Sequence, residues 1–75
     1  MSNHKKIVIE IIRKNLKLKK ITDLNLKVGS IPIWDSMMQV KIFFELKTKF
    51  NKINIKNAAN VRSIKDWVEL VDRIY

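Results

Sequence analysis

Seventy-five residues suffice for one small hydrophobic core and no more, so 1–75 is read as a single domain. The absence of cysteine excludes disulfides, thiolate metal sites and cysteine nucleophiles, while 47% apolar residues, with three Phe and two Trp, exclude the composition of a disordered segment. A net charge of +9 admits a polyanionic partner, but the cations are mostly Lys and are spread along both halves. Lys with abundant Ile and Asn is what AT-rich coding produces unaided, so nucleic acid is not the expected partner.

In chain order, the first pattern covers residues 4–16. Apolar side chains at Ile7, Val8, Ile11, Ile12 and Leu16 form a helical stripe, with Lys5, Lys6, Glu10, Arg13 and Lys14 mostly elsewhere. The competing reading is a buried strand, because the run Ile7 to Ile12 is rich in β-branched residues. It is too short to cross a membrane and is closed by Arg13-Lys14. His4-Lys5-Lys6 ahead of it is not read as a signal peptide, since no small-residue cleavage site follows, and a cytoplasmic location is expected.

Residues 17–33 hold the only Gly and the only Pro, Gly29 and Pro32, and read as a long connection. Leu24 to Val28 alternates with period two, and without an evident partner strand it is expected to be an extended loop that packs Leu24, Leu26 and Val28 inward. From Asp35 to Phe50, Met37, Val40, Ile42, Phe43, Phe44, Leu46 and Phe50 recur at helical spacing, giving the strongest helix of the chain. Asn51 to Lys56 reads as a loop with Ile53 and Ile55 as plugs into the core, and Asn57 to Asn60 as one irregular turn. Ser63-Ile64-Lys65-Asp66 approximates a capping box, and Ile64, Trp67, Val68, Val71, Ile74 and Tyr75 form the apolar face of a last helix. The fold class is all-α, a small bundle of three main helices plus a short irregular one.

Ser36 lies where the second helix starts, after Asp35, a natural cap for the free N–H groups of the first turn. Locally, Ser36-Met37-Met38-Gln39 is also a Ser-x-x-Gln capping box, so the serine has a purely structural reading. Trp34 is placed to staple the helix start onto Met37 or Met38. His4 is the only histidine, expected to be solvated and no base for a serine nucleophile. The scattered carboxylates show no metal-ligand spacing, so no metal site is expected.

The segment Asp35-Ser36-Met37 through Phe50 resembles, without gaps, the Asp-Ser-Leu motif and second helix of acyl carrier proteins. The resemblance continues in kind through the Ile53–Ile55 loop and the helix beginning at Arg62-Ser63-Ile64, and residues 1–30 match in pattern only. It implies a non-catalytic carrier. Ser36 would be esterified to 4'-phosphopantetheine by a phosphopantetheinyl transferase that reads Asp35, and the arm's thiol would carry an acyl or aminoacyl group as a thioester. A phosphodiester at Ser36 would sit at the positive end of a helix dipole, where anions are favoured.

The chain departs from the family in charge. Well-known carriers present acids along the second helix, whereas Lys41, Lys47, Lys49 and Lys52 stand here, with Glu45 as the one acid between Ser36 and Phe50. Conventional docking onto basic enzyme patches would be repelled, so the resemblance implies a specialised pathway whose loading and transfer enzymes present acidic or apolar surfaces. Met37, Met38, Val40, Lys41 and Phe44 are the expected docking residues, and the chain is expected to be a monomer. Trp34-Asp35-Ser36 resembles the start of stand-alone carriers of cell-surface polysaccharide and aminoacyl-transfer systems, D-alanyl carrier proteins among them. The alternative reading is a small basic helical module that binds nucleic acid or an acidic protein, and a third is a carrier-like protein that only docks.

Overall fold

Isoleucine-rich as it is, the amino-terminal run forms a helix, because Val8, Ile12 and Leu16 recur every four residues and find a common core. The computed structural model describes residues 3–75. Among these, α1 is Asn3–Asn15, α2 Ser36–Lys49, α3 Ile55–Ala58 and α4 Ile64–Ile74, with no strand. The protein is thus a small all-α bundle of three main helices and one short one. α1 packs on α4 and α2, and α3 lies against α4. A radius of gyration of 11.2 Å matches the value of about 11 Å for a packed chain of this size.

The stripe on α1 is turned slightly from the expected one: Ile7 is at the surface, and Asn15 is buried, donating from Nδ2 to Ile11 O at 2.8 Å. The helix ends in a Schellman motif. Leu18 N donates to Arg13 O (3.1 Å), Lys17 N donates to Lys14 O (3.2 Å), and Lys17 takes the left-handed position at φ 57°. Arg13 also donates to Leu18 O at 3.0 Å and pairs with Glu10, holding that carboxyl below the usual carboxylate range. A depressed carboxylate contributes stability above its unfolded pKa and loses it as pH falls; at this exposed pair the contribution is small.

The connection from 16 to 35 carries no helix, yet it is not idle. Leu24, Leu26 and Val28 pack inward as expected, and the partner that the sequence did not reveal is the start of α4. Val28 N donates to Arg62 O (2.8 Å), Ile64 N to Leu26 O (3.0 Å) and Lys65 N to Leu24 O (2.9 Å), around a single antiparallel bridge between Lys27 and Ser63. Ser63 Oγ accepts from Asp66 N at 3.1 Å, and Asp66 Oδ2 accepts from Ser63 N at 3.2 Å, completing the predicted box. The first-turn donors of α4 are therefore satisfied by the loop and the box together.

Of the two expected plugs, Ile53 is fully buried but Ile55 is 73% exposed. Asn54 caps α3 through a reciprocal box with Asn57, which starts that helix at Ile55 and turns the side chain outward. On α4 the buried residues are Ile64, Trp67, Leu70 and Val71; Leu70 joins the face, whereas Tyr75 stays at the surface. His4 is not a free solvated side chain: its ring lies 5.5 Å from Phe50 and 5.2 Å from Tyr75, closing one end of the bundle.

Two backbone positions make a matched test. Gly29, at φ 89°, is third in the turn that Ser30 N closes onto Lys27 O, and a Cβ there would meet nothing within 4 Å. Gly29→Ala should therefore cost only the backbone term, about 1 kcal/mol. Lys17→Gly should move the other way and stabilise by roughly 0.5–1 kcal/mol, both read by urea unfolding at pH 7.

Candidate functional site

Trp34 and Gln39 fix the start of α2. Trp34 is fully buried and donates from Nε1 to Gln39 Oε1 at 2.9 Å, while Gln39 Nε2 donates to Val61 O at 3.0 Å. These two residues occupy the positions of a hydrophobic staple, and a hydrogen bond joins them, while Met38 packs against the core cluster to which Trp34 belongs. Asp35 is the cap: its Oδ1 accepts from Met38 N at 2.9 Å, and its carbonyl accepts from Gln39 N at 3.0 Å. The alternative Ser36–Gln39 capping box does not form, because the Gln39 amide is spent on Trp34 and Val61.

Ser36 is consequently the first residue of the helix, exposed, with its hydroxyl free of hydrogen bonds among the described residues. Its own N–H and that of Met37 belong to the first turn and have no partner within the helix. At the far end of α2, fourteen residues on, Phe50 touches His4. A rise of 1.5 Å per residue puts roughly 20 Å between that imidazole and the serine, so His4 cannot serve as its base. No cluster of three or more metal-ligating side chains occurs among the described residues, and no helix there is long and apolar enough to cross a membrane.

The residues expected to dock a partner separate into two groups. Met37 is 81% exposed, Val40 53% and Phe44 58%, and Lys41 is exposed beside them, whereas Met38 turns inward and packs on the core. Helix α2 is thus apolar on both sides: Ile42, Phe43 and Leu46 face the bundle, and Met37, Val40 and Phe44 face outward. Across a groove of about 250 Å³ from Val40 and Phe44 stands Ile55 of α3, with Ala58, Arg62 and Trp67 also lining the space. Sequence periodicity did not reveal Ile55 as part of this surface, and the capping box at Asn54 is the signal that could have. Among the lysines thought to colour the surface, Lys47 Nζ donates to Ile53 O at 2.7 Å and Lys52 Nζ lies 5.1 Å from the Tyr75 ring. Those two hold the loop after α2.

A larger depression of about 710 Å³ lies between α3 and α4, lined by Lys56, Asp66, Glu69, Asp72 and Arg73. Its charges are mixed. A third, about 400 Å³, joins Lys6, Ile7, Ile11 and Lys14 of α1 to Lys49. Comparison with known proteins returns no matching family model, no matching curated protein and no matching solved structure.

Two substitutions check this geometry. Gln39→Met leaves the buried Trp34 N–H without its acceptor and Val61 O with only the 3.4 Å bond from Arg62 Nη1, and should destabilise by about 1–3 kcal/mol in chemical unfolding. Neighbouring phenylalanines should differ sharply: Phe43→Ala is expected to cost about 3–5 kcal/mol and Phe44→Ala under about 1 kcal/mol, and equal losses would contradict the outward placement of Phe44.

Proposed function

We propose that the protein is an acyl-carrier-type protein in which Ser36 bears 4'-phosphopantetheine and the arm presents an acyl group to partner enzymes. The observation that carries this reading is the state of Ser36: capping is done by Asp35, so the serine at the head of α2 is exposed and its hydroxyl is uncommitted. A serine whose role were structural would spend that hydroxyl on the helix end, as Ser63 does. The likeness of Asp35 through Phe50 to the carrier motif and second helix points the same way.

The chemistry fits an attachment point. Esterification requires an accessible hydroxyl and a tolerant environment for a phosphodiester, and unpaired N–H groups at a helix start supply the latter. With His4 at the opposite end of α2, deprotonation of Ser36 falls to the modifying transferase, which reads Asp35 as well. Partner enzymes would seat on Met37, Val40 and Phe44, where an apolar stripe lies open, and Lys41 would favour an acidic rim on the partner.

Coexpression with a broad-specificity phosphopantetheinyl transferase, followed by intact-mass measurement, tests the proposal. The wild-type chain should gain the mass of one phosphopantetheinyl group and Ser36→Ala none. An unmodified wild-type chain, or a gain that survives Ser36→Ala, would refute it.

A further inference from the structure

Cations and acids are not distributed alike along the chain. The first twenty residues hold seven of the sixteen basic side chains but one of the seven acidic ones, and so carry +6 of the net +9. That acid, Glu10, is neutralised by Arg13, the one ion pair among the described residues. Lys5, Lys6, Lys14, Lys17, Lys19 and Lys20 are all exposed, which leaves the outer side of α1 and the start of the connection strongly positive.

Part of this positive surface is also apolar. Val8 and Ile12 turn to the core, and the outer side of α1 presents Lys6, Glu10 and Lys14 at four-residue spacing with Ile7 and Ile11 beside them. These five side chains line the open depression of about 400 Å³, and Lys49, the last residue of α2, borders it. We propose that this face of α1 seats the protein on an anionic lipid surface, with Lys6, Lys14 and Lys49 against the negative headgroups and Ile7 and Ile11 at the boundary between headgroups and acyl chains. The contact is peripheral, since no helix among the described residues is long and apolar enough to cross a membrane. It does not depend on the reading of Ser36.

Three properties of the face choose lipid over other polyanions. Its open cations are lysines, whose aliphatic stems lie along apolar surface while the ammonium groups reach the headgroups. Its arginine is already spent: Arg13 donates to Glu10 and to Leu18 O, so the planar fork that suits a nucleic-acid phosphate or a protein carboxylate is not on offer. The depression is lined by isoleucines without an aromatic ring, which gives hydrocarbon something to meet but gives a base nothing to stack on. Lysines about two turns apart on α1, with others following at 17, 19 and 20, match charges that move laterally beneath them, as lipids do, better than carboxylates fixed on a folded partner.

Vesicle co-sedimentation tests the assignment, with phosphatidylcholine alone or mixed with one-third phosphatidylserine. The protein should bind the mixed vesicles and not the neutral ones. Each lysine near an anionic surface contributes about fivefold in partitioning, so Lys6→Gln, Lys14→Gln and Lys49→Gln combined should weaken binding about a hundredfold. Lys27→Gln, Lys56→Gln and Lys65→Gln combined remove the same charge outside the depression and should cost under about tenfold. Ile7→Ser should weaken vesicle binding by about threefold and leave binding to polyglutamate unchanged. All seven positions are exposed, so the variants keep the fold. Failure to bind the mixed vesicles, equal losses in the two triple variants, or wild-type vesicle binding by Ile7→Ser overturns the proposal. Tighter binding to polyuridylate or polyglutamate than to the mixed vesicles overturns it too, and gives the face to a nucleic acid or an acidic protein.

Discussion

The side-chain amide of Gln39 joins three stretches of chain that share no regular structure. Its oxygen accepts from the indole of Trp34, at the end of the long connection, and its nitrogen donates to Val61 O, just before α4. Both partners sit on buried residues, and the Trp34 indole has no other acceptor, so the amide removes a desolvation penalty there while it ties in Val61 O, which also takes a longer bond from Arg62. The geometry of the α2 start follows from this. With Trp34 pinned inside and Gln39 committed, Asp35 is left between them as cap and Ser36 as the first helical residue, facing out.

The same economy governs the connection itself. Twenty residues without a helix would be a large entropic burden if they only spanned a gap. Here Leu24 and Leu26 present carbonyls to the first N–H groups of α4, while their side chains fill the space beside it. A helix start buried against a loop needs acceptors for those donors, and the loop needs partners for its carbonyls. Each solves the other's deficit, which is why a period-two segment persists here without a sheet.

Much of this was legible. The helices, their caps at Asp35 and Ser63, and the buried Ile53 follow from spacing and end chemistry, which are local properties. What stayed hidden depends on long-range choice. Period alone gave α2 one large apolar set, since Met37, Val40 and Phe44 are apolar like Ile42, Phe43 and Leu46; the family resemblance singled out the first three for docking, with Met38, and which side chains lie inside is decided by where the rest of the bundle packs. Gln39 looked like half of a capping box because its distant partner, Val61, is invisible from sequence neighbours. Lys17 in a left-handed position defied the rule that glycine fills such places, since the motif's two backbone hydrogen bonds and the Arg13 tie to Leu18 outweigh the strain. At the site, the exposed serine was locally ambiguous, and only the assignment of capping to Asp35 separated its hydroxyl from the helix end.

The outward face of α2 contributes little to holding the bundle together, because its apolar side chains remain in water in the isolated chain. Such a surface invites self-association, and a net charge of +9 opposes it by mutual repulsion. The charge is also unevenly placed. Lys41 flanks the stripe on α2, while Asp66, Glu69 and Asp72 line the depression between α3 and α4. Lys56 and Arg73 offset most of those acids, so an approaching acidic surface is drawn toward α2 more than it is turned away from α4, within the roughly 8 Å over which charges act at physiological salt. On the carrier reading, orientation at long range would come from Lys41 and adhesion at short range from Met37, Val40 and Phe44. Lys41 and Met37 both lie in the half of α2 that begins at Ser36, so on that reading the cation that sets this helix apart from those of acidic carriers would bear on the choice of partner and not on the attachment chemistry.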